Sequence, residues 1–485
     1  MWAQSLWFPF GFFLAALAVL PCILFPLGGI PPEILQGAIA AFALGFSLLA
    51  AAVWYASKET IEIALPSSLV LLPPLALFFV AIISSIFFHP FTVAIFGSGF
   101  ELGTLGSFLL FAAAVALGTS FGTQARGVIM VLLTIAVISS GIQYVSRSER
   151  VPFLGAVYVA GAAYAHSFSN VLVGTGPASF SHSWLRYRSP DPLTPPLWNT
   201  RESTSRSFLL EMLVTLGFLG ALAYMLSGIV PTVVFLGSLE HRGARVLPAA
   251  LLAVLPVALS FFFRPSVAIV LLGGIGIGSL AASTATSDIC GSFTGARKYI
   301  LLAGACAIGA ALAAITFMQL YAAAIHVRAQ NLAKDGNQVE ATALFKSAMH
   351  AWNAPLYIRD AALSAVSLVA QQTDPVAARR FIDDAVFAAN EAILIDREDF
   401  DSQLVRARVY ATVMLTGYPN AETYARDSLA EAIQKAPGEA LPYFFRGQLE
   451  AALGNKKEAI RALNVVLLLK PDYPGIRSSL QTLSK

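Results

Sequence analysis

Residues Glu439–Pro471, EALPYFFRGQLEAALGNKKEAIRALNVVLLLKP, read as two helices joined by a tight turn. Apolar residues recur at helical spacing on both sides of Gly454, and a proline closes the stretch at position 471. Small residues stand where paired helices must approach, at Gly447 and Ala459, with Leu463 one turn further on. Just upstream, Ala421–Pro437, AETYARDSLAEAIQKAP, repeats the second helix with Ala425, Leu429, Ala432 and Pro437 in register. Weaker copies lie in Asp383–Arg397, DDAVFAANEAILIDR, and in Gly336–Trp352, GNQVEATALFKSAMHAW. A unit of this size cannot bury its apolar face alone and stacks on its neighbours. The expectation for residues 323–485 is therefore an α-solenoid of about four repeats, its first helix continuing from Tyr321–Gly336, YAAAIHVRAQNLAKDG.

The pattern resembles the tetratricopeptide repeat, with its period of about 34 residues. That resemblance implies a concave surface for a peptide or partner protein, while a spacer or assembly platform is the plainer reading of the same fold.

Upstream the composition changes. The 485-residue chain is 57% hydrophobic and 12% charged, with a mean hydropathy of +0.70, which is more apolar than a soluble protein of this size. Residues 1–322 hold 13 Lys/Arg and 10 Asp/Glu, whereas 323–485 hold 18 of each. Two domains follow: a transmembrane body over 1–322 and a water-soluble repeat domain over 323–485. The net charge of +3 is too small to argue for nucleic acid. Cys22, Cys290 and Cys306 have no spacing suited to a disulfide framework or a zinc site. No nucleotide-binding glycine motif, His-Glu-x-x-His or Cys-x-x-Cys is present, and neither cofactor nor metal is expected.

A bilayer core about 30 Å thick needs roughly 20 apolar residues per helix. Stretches 6–27, 34–56, 66–88, 104–120, 127–145, 207–237, 246–263, 267–285 and 299–322 qualify, giving a polytopic α-helical protein of about nine spans. The first run lacks the basic start and cleavage site of a signal peptide and reads as a retained span. The run at 152–165, PFLGAVYVAGAAYA, is too short to cross and reads as an interfacial helix. Lys58, Arg126, Arg242 with Arg245, and Arg297 with Lys298 fall in alternate short loops, which places those loops and the N-terminus in the cytoplasm. The segment 146–206 and the repeats then lie outside the cytoplasmic membrane. Arg264 alone dissents.

One segment breaks the apolar pattern. Asn170–Pro190, NVLVGTGPASFSHSWLRYRSP, and Asp191–Gly220, DPLTPPLWNTRESTSRSFLLEMLVTLGFLG, carry Arg186, Arg188, Arg201 and Arg206 among aromatics and prolines. This looks like the O-antigen ligase family with its polymerase and protein-glycosylating relatives. The resemblance rests on the turn Gly174, Gly176, Pro177 and Phe180; on Trp184, Arg186, Tyr187, Arg188, Trp198, Asn199 and Arg201; and on a span opening with Leu210, Glu211, Gly217 and Gly220. The glycine-rich Ile95–Phe111, IFGSGFELGTLGSFLLF, is similar to the family's earlier turn.

The resemblance implies a metal-independent membrane glycosyltransferase. It would transfer or polymerise glycan from a polyprenyl-diphosphate carrier at the outer face, with a glycan or protein as acceptor. Guanidinium forks suit such a diphosphate, because they bind phosphate oxygens bidentately and keep their protons. Arg186, Arg188, Arg201 and Arg206 are the candidate diphosphate ligands, with Trp184, Tyr187, Trp198, Asn199, Gly174 and Gly176 as substrate contacts. Arginine and aromatic residues also collect at headgroups with no catalytic role.

The pattern departs from the family at one position. The ligases carry a histidine near the start of the span after the loop, whereas matching Leu210, Glu211 and Gly217 without gaps places Arg206 there, followed by Ser207. Arginine is a poor general base. His182, Glu202, Asp191 and His166 are the substitutes considered, with Glu211 as an intramembrane acid at the head of the span. Otherwise the reaction needs little base help or activity has been lost. The competing expectation is an inactive membrane-anchored repeat scaffold for protein–protein interaction.

Overall fold

The computed structural model describes residues 16, 30, 32–59, 61–65, 68–88, 91–97, 102–119, 153–188, 204–237, 255–283, 289–369 and 371–484. They divide into two compact bodies. One comprises residues 1–156, 163–178 and 204–321; the other comprises 157–162, 179–203 and 322–485.

The first body is built from apolar helices: α1 (Pro32–Ala56), α2 (Ser68–Phe88), α3 (Phe91–Phe96), α4 (Leu105–Thr119), the end of α5 (Phe153–His166), and α6 (Phe168–Val173). After α7 (Phe180–Tyr187), which belongs to the second body, come α8 (Phe208–Gly237), α9 (Val267–Ser283) and the start of α10 (Gly295–Lys334). Among the described residues three helices are long and apolar enough to cross a membrane: Ile34–Ala56 within α1, Phe208–Leu236 within α8, and the whole of α10. Val70–Ile86, Leu105–Thr119, Phe153–His166 and Ile269–Leu280 are shorter apolar helices. The expected spans 6–27 and 127–145, and most of 246–263, lie outside the described residues.

An all-helical body was expected, and the structure adds one sheet. β1 (Ile61–Leu65) pairs antiparallel with β2 (Ile289–Phe293), with Ile61 opposite Phe293 and Leu65 opposite Ile289. The stretch IEIAL is short and partly β-branched, which favours extended backbone once a partner edge is available. Beside the sheet the buried Lys298 ammonium donates to the carbonyl of Ala56, 3.1 Å away, and to that of Lys58, tying the end of α1 to the start of α10.

Helix α8 is apolar on all sides and broken at Gly217, whose φ of 66° and ψ of −167° leave the helical region. A break deep in an apolar body frees carbonyls that need new donors. Leu213, Val214 and Thr215 each have one. Tyr164 Oη donates to Leu213 O at 2.8 Å. The Thr175 N–H and hydroxyl donate to Val214 O at 3.0 and 3.1 Å, and the Gly176 N–H donates to Thr215 O at 2.8 Å. Ser84 Oγ holds the adjoining Val173 O at 2.7 Å. The two backbones approach so closely that a Cβ on Gly217 would fall 2.6 Å from Gly174 N, and one on Gly174 would fall 2.3 Å from Thr215 O.

In the second body the end of α10 is followed by α11 (Gln338–Ala351), α12 (Pro355–Val369), α13 (Pro375–Ile395), α14 (Phe400–Met414), α15 (Ala421–Lys435), α16 (Ala440–Ala452), α17 (Lys456–Leu469) and α18 (Ile476–Ser484). Successive helices pack in pairs, α12 on α13, α14 on α15 and α16 on α17. The small residues read from the sequence are the contact points: Ala425, Ala432 and Ala459 are fully buried, and a Cβ on Gly447 would meet Leu463 Cδ2 at 2.7 Å. Ala385, Ala389 and Ala392 do the same for α13. Ile476 of α18 closes the array over Leu463 and Val466. The fold is a tetratricopeptide-like helical repeat array.

Replacing Gly217 with alanine is expected to cost roughly 3 kcal/mol or more, because a strained φ coincides with a backbone clash. Gly161 lies in α5 with open space around it, and Gly161→Ala should instead stabilise by up to about 1 kcal/mol. Unfolding midpoints in detergent check both. Equal behaviour of the two variants would refute the backbone joint.

Candidate functional site

The head of α8 carries the polar centre of the first body. Ser207 caps the helix, its hydroxyl oxygen accepting from the Leu210 N–H at 3.3 Å and its O–H donating to Ser260 O at 3.1 Å. Ser260 in turn receives the Leu209 N–H at 3.0 Å, and its hydroxyl meets that of buried Tyr224 at 2.8 Å. One turn into the helix, Glu211 points into this cluster. Its carboxylate accepts the Ser205 N–H at 3.3 Å and pairs with Arg264 Nη1 at 3.1 Å. Arg264 Nη2 reaches the carbonyl of Leu102 at 2.6 Å. Both charged side chains are more than nine-tenths buried.

Three sequence-distant pieces thus meet: the glycine-rich turn at 102–107, the head of α8, and the residue after the helical stretch 255–259 and its turn. Gly103 is required by its φ of 96°, while a Cβ there would make only ordinary contact with Glu211 Oε1, at 3.4 Å. A carboxylate held by a guanidinium is a weak base, so Glu211 is suited to fixing Arg264 and the Leu102 carbonyl rather than to taking a proton. Arg264 escaped the sequence reading as a site residue, where it stood only as the basic exception among the outer loops. A lone arginine in an apolar context is itself a signal for a buried acidic partner.

The described basic residues of α7 belong to the second body. Helix α7 carries the run Phe180–Tyr187 and packs on α15, with Phe180, Ser183, Trp184 and Leu185 buried. Its basic residues meet acidic residues of two successive inter-repeat turns. His182 Nε2 lies 3.6 Å from Asp396 Oδ2, and Arg186 Nη1 lies 3.8 Å from Glu398 Oε2. Arg188 Nη2 is 2.5 Å from Glu439 Oε1 and 3.4 Å from Gly438 O, with the two side chains only 7% and 8% exposed. Lys435 also holds Glu398, at 3.0 Å, and Arg359 pairs with Asp399 at 2.5 Å.

These neighbours set the protonation. Burial pushes the His182 imidazole below its ordinary value, against the pull of Asp399 and Glu398. Burial alone would raise Glu398 and Asp399. Lys435 nevertheless holds Glu398 below the usual carboxylate range, and Arg359 does the same for Asp399. Arg186 also stands over the Tyr187 ring at 5.8 Å. The cations of α7 are therefore engaged by carboxylates of the repeats.

Of the candidates named from sequence, Glu211 and Arg206 lie at the head of α8, Arg206 half-buried. Gly174 and Gly176 line the joint at the α8 break, where Gly176 supplies a backbone N–H. His182, Trp184, Arg186, Tyr187 and Arg188 sit together on the repeat turns. His166 ends α5. Trp198, Asn199, Arg201, Glu202 and Asp191 fall outside the described residues. Among the described residues no cluster of three His, Cys, Asp or Glu could hold a metal ion.

No family model matches the chain, and no curated protein matches it. Among solved structures, a thermophilic tetratricopeptide-repeat protein of Thermus thermophilus is similar over 38% of this chain and 94% of its own, at 17% identity and a TM-score of 0.30.

Glu211→Ala and Arg264→Ala should each cost about 3–5 kcal/mol, since each strands a buried charge. The double variant Glu211→Ala with Arg264→Ala should cost far less than their sum. A thermal double-mutant cycle in detergent measures the coupling, and additive losses would show that the pair is not a unit.

Proposed function

We propose that the protein is a membrane glycosyltransferase that transfers or polymerises glycan from a polyprenyl-diphosphate carrier at the outer face of the cytoplasmic membrane. The observation that supports this reading most is the convergence in the first body. The earlier glycine-rich turn is bonded to the arginine beside the head of α8, and Thr175 and Gly176 of the later turn are bonded to α8 at its break. These are the segments on which the resemblance to the O-antigen ligases rests. In the reaction the anomeric C–O bond to phosphate breaks as the acceptor oxygen bonds to that carbon. The polyprenyl diphosphate leaves with the electron pair, and the acceptor proton passes to solvent or to the departing phosphate.

Arg188 is spent on Glu439, and Arg186 faces Glu398. The diphosphate-binding role is assigned to Arg206 and Arg201 on the resemblance alone. Arg264 is paired with Glu211 and serves to hold that carboxylate and the Leu102 carbonyl in place. Neither Glu211, which is paired, nor His182, which is buried beside Asp396, is suited to take the acceptor proton.

A second reading keeps support from one observation. Three basic residues of the outer segment are engaged with the repeats, as in a membrane-anchored scaffold whose array organises protein partners. Gene deletion with profiling of surface glycans and carrier lipid separates the two. The transferase reading expects unmodified lipid-linked glycan to accumulate. It also expects Arg206→Ala and Arg201→Ala to lower transfer about tenfold or more, with membrane insertion intact. Unchanged glycans with altered protein complexes would leave the scaffold.

A further inference from the structure

Helix α7 spans eight residues, too few to be stable alone in water. Its helical form depends on the repeats it packs against. Phe180 and Trp184 supply apolar burial, and the basic residues supply direction. His182 and Arg186 engage the turn 396–399 between α13 and α14, while Arg188 engages the turn 436–439 between α15 and α16. Those turns occupy equivalent places in successive repeats, so α7 lies across neighbouring steps of the array. An apolar contact alone would tolerate sliding by a turn. A buried guanidinium held by one carboxylate and one carbonyl sets a single register, at the cost of desolvating both charges.

In sequence, Arg188 stands between the Gly174–Phe180 turn and Arg201. We propose that Arg188 and Glu439 are positioning residues for the transfer reaction, a buried ionic latch by which the repeat array holds α7 in register. The inference rests on the transferase reading and gives the repeats a task inside their own chain. It differs from acceptor recruitment, which would leave turnover indifferent to a carboxylate on an inter-repeat turn.

The test uses the full-length protein in membranes, with Cys22, Cys290 and Cys306 replaced by serine and buried Ser183→Cys as the reporter. Maleimide labelling is normalised to an exposed Ser478→Cys control. Arg188→Gln and Glu439→Gln should each raise labelling at position 183 about tenfold as the latch opens. They should lower turnover at saturating carrier by about tenfold, with the KM for carrier nearly unchanged. Arg188→Glu combined with Glu439→Arg should restore both readings. Labelling that stays low in the glutamine variants overturns the latch, and labelling that rises with turnover intact overturns its positioning role. If the unmodified protein transfers no glycan, the transferase reading falls together with the positioning role, while labelling still reports whether the latch exists.

Discussion

Backbone carbonyls in an apolar surrounding must find donors, and the first body is arranged around the place where α8 fails to supply them. The break at Gly217 leaves Leu213, Val214 and Thr215 with carbonyls that the chain between Tyr164 and Gly176 takes up. This joint needs bare backbone on both sides, and two glycines that look like motif ornaments in the sequence are its steric requirement. It also ties α2 in, because Ser84 bonds the carbonyl of Val173 next to the crossing. The polar head of α8 is built above this joint, with Ser207, Ser260 and Tyr224 satisfying one another so that the Glu211–Arg264 pair can be buried.

The charged interruption serves two different structures. Its last part heads α8 and helps bury an ion pair in an apolar body. Its first part is a short helix written for an acidic edge of repeats. A single reading of all its arginines as phosphate ligands treats them as one population, whereas Arg186 and Arg188 meet carboxylates of the repeats. Arg188 is neutralised by Glu439, while Arg206 stays half-buried at the membrane-type body.

The repeat array was legible because its signal is local and periodic. Ala425, Ala432, Ala459 and Gly447 are small where helices touch, and helical periodicity exposes that directly. Apolar helices were legible for a similar reason: composition alone marks α1, α8 and α10. What escaped were long-range pairings. Nothing near Arg264 names Glu211 or Leu102 as its partner, and nothing near Arg188 points to Glu439. The sheet was missed because IEIAL becomes a strand only when the equally short ICGSF lies alongside. The residues marked for binding were chosen by type, and residue type leaves open whether an arginine meets a ligand or a carboxylate of its own chain.

That small sheet constrains how the protein is made. β1 emerges early in synthesis, whereas β2 and Lys298 come only after most of the first body has been made. Until then β1 waits with open hydrogen-bonding edges, exposed to pairing with another nascent chain. The contact is non-local and carries the loop-closure penalty of everything between. Closure of this sheet is therefore a late event in the synthesis of the first body, timed by the arrival of the strand that precedes α10.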